Sequence, residues 1–383
     1  MRILTITNCP LDPRLGSGTT VIRFTEGLRQ LGHEVEVLAP TDYEAWPRAR
    51  VAKQLRQGLG ALRAVRDRLA HRSYDVIEFY GAEFWPAIVD VARSKKRPLL
   101  VAHTNGLELL NYERERDYDP PRGMKTAASR AIHRTLFVRS FRHTDAFVAL
   151  CEADREWVIA HGLYSRSMTA VVPPAPGDTF QDVAAQTLAA KEDRVCYTGS
   201  WTARKGIDHI AAVMNQVLRD NPKLVFDVFG ASPDRSLVIS AFDAAVRARV
   251  VVHPGMDPAA LAAAIARGKV FFFPSQYEGY GLALLEAMAC GLAVVTTPTG
   301  LGGELDHERE AIVCSFGDRE AMRTAIEGLL KDEPRRAVLA ANGQHRAREL
   351  HWQESVSRLS QQYTAWVDAL IRVTGEGSSV RGA

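Results

Sequence analysis

The residues whose types and spacing suit chemistry best are two glutamates, Glu278 and Glu286, and an adjacent pair of cations, Arg204 and Lys205. Each set follows a short apolar run and a glycine-bearing turn. Val270 to Phe273, halted by Pro274, suits a buried parallel strand. Gln276 to Gly281 then make a tight turn, Leu282 to Cys290 are good helix formers, and Gly291 stands where a left-handed C-cap belongs. Leu292 to Thr296 read as the next strand, which completes a βαβ unit. The second set, Tyr197-Thr198-Gly199-Ser200-Trp201-Thr202-Ala203-Arg204-Lys205-Gly206, repeats strand, glycine turn and helix start.

The physics of such a unit favours anions. A helix start at the C-terminal end of a parallel strand aims unpaired N–H groups into the crevice, where phosphates bind. Arg204 and Lys205 would add two positive charges there. Two carboxylates would repel a phosphate, so Glu278 and Glu286 make more sense as acceptors for neutral hydroxyls on either side of it, such as those of a sugar and a ribose. Taken alone, the same residues also read as a helix-dipole contact, a solvated helix glutamate and a solvated basic turn.

These elements need a frame. At 383 residues the chain has the length of two ordinary domains. Over 1–175, strands are expected at Arg2 to Thr7, Glu34 to Leu38, Asp75 to Glu78, Leu99 to Ala102, Ala146 to Leu150 and Thr169 to Val172, most of them separated by helix-length segments. The first helix is expected to start near Thr19. Pro173, Pro174, Pro176 and Gly177 read as a linker. A second series follows, with strands at Val195 to Thr198, Leu224 to Phe229, Val250 to His253, Val270 to Phe273, Leu292 to Thr296 and, more weakly, Ala311 to Cys314, and a helix over 206–219. Trp352, Val356, Leu359, Tyr363, Trp366 and Leu370 trace one face of a final helix, and residues after Thr374 read as disordered.

Composition narrows the class. Hydrophobic residues make up 46% and charged residues 24%, as in an ordinary soluble enzyme. Cys9, Cys151, Cys196, Cys290 and Cys314 are odd in number and have no Cys-x-x-Cys spacing, so neither a disulfide framework nor a zinc site is expected. The apolar run Ile3 to Ile6 is too short for a signal sequence, and no stretch approaches a membrane span. A cytoplasmic protein, at most peripheral on a membrane, is the expectation. Residues 1–150 carry 24 basic and 17 acidic side chains, whereas the remainder is acidic on balance. No nucleic-acid-binding motif accompanies that basic half.

The stretch Pro-Ser-x-x-Glu278-Gly279-Tyr280-Gly281-Leu282-x-Leu-Leu-Glu286-Ala-Met-Ala-Cys-Gly-x-x-Val-Val resembles the donor-site motif of the retaining glycosyltransferases of family 4 (glycosyl transferases group 1), which have the GT-B fold. Gly199-x4-Arg204-Lys205-Gly206 resembles that family's diphosphate-holding element. The likeness is strong over about 195–330, fair over 1–40 and 97–106, and weak between.

The resemblance implies an α/β architecture of two Rossmann-like domains facing across a cleft, with a C-terminal helix returning to the N-terminal domain. The corresponding bounds are 1–175 for the acceptor side, 176–350 for the donor side, and 351–383 for the helix and tail. It implies a retaining transfer of a hexosyl-type sugar from a nucleoside diphosphate donor to an acceptor hydroxyl. Glu278 would take sugar hydroxyls and Glu286 the ribose, with Gly199, Gly279, Tyr280, Gly281 and Leu282 also at the donor. His103, after a strand in Ala-His-Thr-Asn-Gly, is similar to a family histidine that contacts the donor sugar. Gly16-Ser17-Gly18 stands where the family usually has Gly-Gly, and would approach the donor on domain closure. It is not the dinucleotide or P-loop fingerprint.

With Glu278, His103, Arg204 and Lys205 as the catalytic set, the cation pair neutralises the diphosphate, so no metal or other cofactor is expected. Asp117-Tyr118-Asp119, a possible metal chelate, reads as a solvated polar loop. Residues 122–142 carry Arg122, Lys125, Arg130, Arg134, Arg139 and Arg142 without an acid and with interleaved apolar residues, which suits either a solvated helix face or a basic amphipathic helix on anionic lipid. A sugar-nucleotide epimerase and a catalytically silent sugar-nucleotide-binding protein are the competing readings. The sequence leaves the sugar, the base, the acceptor, the linkage and the oligomeric state open.

Overall fold

The computed structural model describes residues 1–44, 53–94, 96–121, 123–186, 191–230 and 235–379. Arg122 of the basic segment falls outside these, as do residues 380–383 of the tail. The chain forms two compact units. One holds Met1–Glu113, Pro121–Pro173 and the C-terminal stretch from Trp352; the other holds Arg114–Pro120 and Pro174–His351.

In the first unit, β1 (Arg2–Thr7), β2 (Glu34–Leu38), β3 (Val76–Tyr80), β4 (Leu99–His103), β5 (Ala146–Ala149) and β6 (Thr169–Val171) form one parallel sheet in the order β2-β1-β3-β4-β5-β6. In the second, β7 (Arg194–Thr198), β8 (Val225–Phe229), β9 (Val250–Val252), β10 (Val270–Phe273), β11 (Ala293–Thr296) and β12 (Ile312–Val313) form another, ordered β12-β11-β10-β7-β8-β9. All twelve expected strands are present, with ends displaced by a residue or two. Helices cover both sheets, so the central strands are buried on both faces and carry near-continuous apolar runs such as Val270-Phe-Phe-Phe273.

Three local expectations need correction. The first helix spans Gly16–Gln30, three residues earlier than Thr19. Gly16 and Gly18 are poor helix formers, but the hydroxyl of Thr20 donates to the Gly16 carbonyl and Thr19 N–H donates to Leu15 O, which carries the turn back through them. Asp117 and Tyr118 are not in a loop: they form the last turn of the helix Glu108–Tyr118, and only Asp119 lies beyond it. Glu108-Leu-Leu-Asn-Tyr-Glu-Arg-Glu-Arg are mostly strong helix formers, and they carry the helix up to the Pro120-Pro121 stop. The last helix, Trp352–Ser379, continues past Thr374, where disorder was expected.

That last helix packs within the first unit. Val356, Leu359, Tyr363 and Trp366 are buried along its inner face. It comes close to the Gly16–Gln30 helix because Gly27 has no side chain: a Cβ there would lie 2.5 Å from Val356 Cγ2. Trp366 Nε1 donates to Ser167 O at 2.9 Å, and Ser355 Oγ donates to Pro173 O at 2.6 Å. Beneath it, Glu78 in β3 is fully buried and accepts from Thr5 Oγ1 at 2.5 Å and from the Tyr363 hydroxyl. Burial raises the Glu78 carboxyl above its usual range, partly opposed by those two hydroxyls.

The Tyr363 hydroxyl thus ties the returning helix to the sheet through a polar atom that water cannot reach. Replacing Tyr363 with Phe keeps the ring and strands one Glu78 oxygen. Urea unfolding of that variant is expected to show a loss of about 1–3 kcal/mol. An unchanged unfolding midpoint would remove this hydrogen bond from the account of how the helix is held.

Candidate functional site

The second sheet reverses direction at one place. The chain runs outward from β7 through β8 to β9, then returns to lay β10 on the other side of β7. Loops leaving the C-terminal ends of β7 and β10 flank this switch point, and the crevice there is where ligands bind in open α/β sheets. Pairing here is short: Val270 opposes Val195 and Phe271 opposes Cys196, two residues before either strand ends. The loop after β7 carries Arg204 and Lys205, and the loop after β10 carries Glu278.

Backbone contacts lock these loops together. The Gln276 N–H donates to Arg204 O at 2.7 Å, and Arg204 Nη1 donates to Tyr277 O at 2.9 Å. Gly206 makes this approach possible. It has φ +71, and a Cβ on it would lie 2.1 Å from Pro274 O. On the other side, Glu278 N–H donates to Thr299 Oγ1 at 2.9 Å, and Leu301 N–H donates to Tyr280 O at 2.7 Å. The turn holding Glu278 is thus pinned from both flanks.

The side chains complete an ion pair inside this frame. Lys205 Nζ lies 2.6 Å from Glu278 Oε1, and Arg204 Nη1 lies 3.7 Å from Glu278 Oε2. Glu278 and Lys205 are 7% and 9% exposed, so water screens their attraction little. The ammonium also sits 4.8 Å from the centre of the Phe273 ring. Burial alone would raise the Glu278 carboxyl, but the charges of Lys205 and Arg204 outweigh it and hold the group below its usual range. Glu278 is therefore a carboxylate at neutral pH.

Glu286 differs. It lies in the helix Leu282–Ala289 and is half-buried, and its carboxyl group has no hydrogen bond or ion pair to another described residue. Burial pushes its carboxyl up to about 8. The helix start is open as well: Gly281, with φ +97, occupies the cap position and no side chain caps it, which leaves first-turn N–H groups for a ligand. Gly279 and Tyr280 are buried in the turn, and Leu282 is the first helical residue. Gly199 spends its own N–H on Phe229 O at 2.9 Å. The neighbouring Thr198 hydroxyl, at the end of β7, is buried without a partner.

His103 and the Gly16–Gly18 segment belong to the first unit. His103 ends β4 and is 2% exposed, stacked on Tyr80 at 4.1 Å and tilted against Phe24 at 5.4 Å. Both ring nitrogens lack a hydrogen-bond partner, and burial lowers its pKa to about 3, so the imidazole is neutral. Gly18 is required by packing: a Cβ there would lie 2.5 Å from Asp12 O and 2.7 Å from Pro10 O. Gly16 is exposed at a helix start that no side chain caps.

The structure thus brings Arg204, Lys205, Glu278 and the Gly281–Leu282 helix start together within one unit. Sequence reasoning passed over Thr299 and the Pro274 carbonyl that dictates Gly206. The glycine after Arg-Lys was a visible signal for a tight approach, whereas Thr299 had none.

Comparison with known proteins bears on the family and the fold. Residues 178–346 match the family model for glycosyl transferases group 1, and residues 16–175 match that of the glycosyl transferase 4-like domain. A D-inositol 3-phosphate glycosyltransferase of Xylanimonas cellulosilytica is 27% identical over 55% of this chain and 52% of that protein. The chain spans about half the length of the first curated relatives it matches. A phosphatidyl-myo-inositol mannosyltransferase of Mycolicibacterium smegmatis is 24% identical across 100% of this chain and 98% of its own. Among solved structures, sucrose-phosphate synthase from Thermosynechococcus elongatus superposes with a TM-score of 0.77 at 20% identity, covering 96% of this chain and 99% of that one. This likeness establishes the GT-B fold.

Proposed function

Because the chain belongs to the glycosyl transferases group 1, we propose that it is a retaining, metal-independent glycosyltransferase that moves a hexosyl-type sugar from a nucleoside diphosphate to an acceptor hydroxyl. The observation that carries this reading is the gathering of Arg204 and Lys205 around Glu278 beside an uncapped helix start. The two cations and the first-turn N–H groups of Leu282–Ala289 take the diphosphate. As the glycosidic bond breaks, negative charge grows on the leaving phosphate oxygen, and preorganised donors stabilise it without reorganising. The cations do the neutralising that a divalent ion would otherwise do.

Glu278 accepts hydroxyls of the sugar and Glu286 those of the ribose. Neither is assigned as a covalent nucleophile. Retention of configuration follows from the resemblance of the Glu278-x7-Glu286 segment to family 4. Two buried ring nitrogens without a hydrogen-bond partner among the described residues support a proposed role for His103 as a sugar contact.

Incubating the chain with UDP- and GDP-sugars and a native extract, followed by mass spectrometry, tests this reading. Acceptor-dependent release of nucleoside diphosphate that survives EDTA is expected. Replacing Arg204 and Lys205 with Ala is expected to lower kcat by about 10²–10³-fold; unchanged turnover would defeat the assignment. A pH series adds an independent check. The Glu286 carboxyl titrates at about 8, so it is mostly protonated at neutral pH and becomes a better acceptor as pH rises. Nucleoside diphosphate affinity is expected to climb between about pH 7 and pH 9. In Glu286→Gln it is expected to be flat and about tenfold weaker.

We further propose peripheral contact with an anionic membrane through the helix Met124–His143. Phe137 and Phe141 are buried in the unit, while Met124 is 89% and Ile132 60% exposed. The helix does not separate an apolar face from a basic one, as an amphipathic helix would. Arg134 meets Glu113 at 3.5 Å and Arg139 lies over the Trp85 ring, so part of the basic character is already engaged. Contact would therefore be electrostatic. Among the described residues no helix is long and apolar enough to cross a membrane. Co-flotation with phosphatidylserine vesicles, lost on raising salt, is expected; no flotation at low salt ends this proposal.

A further inference from the structure

Lys205 and Arg204 face a difficulty before any donor arrives. A buried ammonium without a counter-charge is strongly disfavoured, and here the counter-charge is the carboxylate meant for the sugar. Glu278 Oε1 is 2.6 Å from Lys205 Nζ, so in the donor-free state this oxygen is already taken up by the cation. Arg204 approaches the other oxygen at 3.7 Å while Tyr277 O holds one of its nitrogens. The same atoms are thus claimed by two functions.

Resting on the donor assignment above, we propose that Glu278 is a stand-in counter-anion that the diphosphate displaces: it holds Lys205 and Arg204 until phosphate oxygens replace it, and only then accepts sugar hydroxyls. Charge balance supports the exchange. Two cations facing one carboxylate leave a surplus of positive charge that attracts the diphosphate. Once the diphosphate is in place, the negative charges outnumber the positive ones, and the carboxylate is better served by neutral hydroxyl donors than by a shared ammonium. Both loops stay fixed through their main chains, by Gln276 N–H to Arg204 O and by Glu278 N–H to the Thr299 hydroxyl, so the swap needs movement of the Glu278, Lys205 and Arg204 side chains only. The Phe273 ring keeps its place beside the ammonium throughout.

The consequence is unusual for a binding residue. Removing its charge strengthens nucleoside diphosphate binding, because the phosphates no longer compete with it. Calorimetric titration of UDP and GDP into the full-length protein tests this, with folding of each variant checked by circular dichroism. Glu278→Gln is expected to bind the nucleotide that the unsubstituted chain binds about tenfold more tightly, while transferring sugar poorly. Glu286→Gln is expected to bind it more weakly. In a Lys205→Met background, Glu278→Gln is expected to bring no gain.

Should Glu278→Gln unfold, Glu278→Asp is read instead, since withdrawing the carboxylate by one methylene loosens the same ion pair and moves affinity in the same direction. If the unsubstituted chain binds UDP or GDP and the Glu278 variant binds it equally or less tightly, the stand-in role is overturned and the donor assignment survives. If the unsubstituted chain binds neither, the donor assignment falls and this inference with it.

Discussion

The reversal of strand order between β7 and β10 is the constraint on which the site depends. It opens a crevice in an otherwise continuous parallel sheet and obliges two loops to meet across it. The loops can meet only because Gly206 lets the backbone pass Pro274 O at a distance no side chain would permit. Once they meet, Lys205 and Glu278 are forced into contact in a place with little water. A buried ion pair of this kind adds little to stability, because desolvating both charges offsets most of their attraction. Its presence at the crevice therefore fits the proposed anion site better than a contribution to the fold.

Much of the frame was legible in the sequence because parallel sheets advertise themselves. Strands buried on both faces must be apolar at nearly every position, and runs such as Val76-Ile-Glu-Phe-Tyr80 and Val270-Phe-Phe-Phe273 stand out against their polar surroundings. The final helix was equally plain from the spacing of Val356, Leu359, Tyr363 and Trp366. Helix ends were harder. Gly16 and Gly18 argue locally against helix, but backbone and hydroxyl hydrogen bonds across the first turn outweigh that preference. Asp117 and Tyr118 are polar and stand just before Pro120-Pro121, which suits a loop, though the run from Glu108 has the composition of a helix.

The candidate site was legible where family resemblance and local physics coincided, at Arg204, Lys205, Glu278 and Glu286. It was not legible where a role depends on what lies opposite in space. Thr299 follows Glu278 by 21 residues, and nothing in its neighbourhood announces that its hydroxyl will take the Glu278 N–H. His103 shows the reverse case. Its position at the end of β4 was evident, but its stacking on Tyr80 arises because the two residues are register partners in adjacent strands.

Three buried or half-buried glutamates show how partners decide what a carboxyl group does. Glu78 accepts hydroxyls from Thr5 and Tyr363, and burial raises its pKa while those hydroxyls oppose the rise, so it serves as a link between a strand and a helix. Glu278 meets two cations and remains ionised despite burial. The Glu286 carboxyl has no partner among the described residues, and desolvation raises it to about 8. A desolvated acid without a partner is costly to keep, which supports the proposal that a ligand bearing hydroxyl donors binds there. What a glutamate does thus follows from the few atoms within hydrogen-bonding distance of it: hydroxyls at Glu78, two cations at Glu278, and no side-chain partner among the described residues at Glu286.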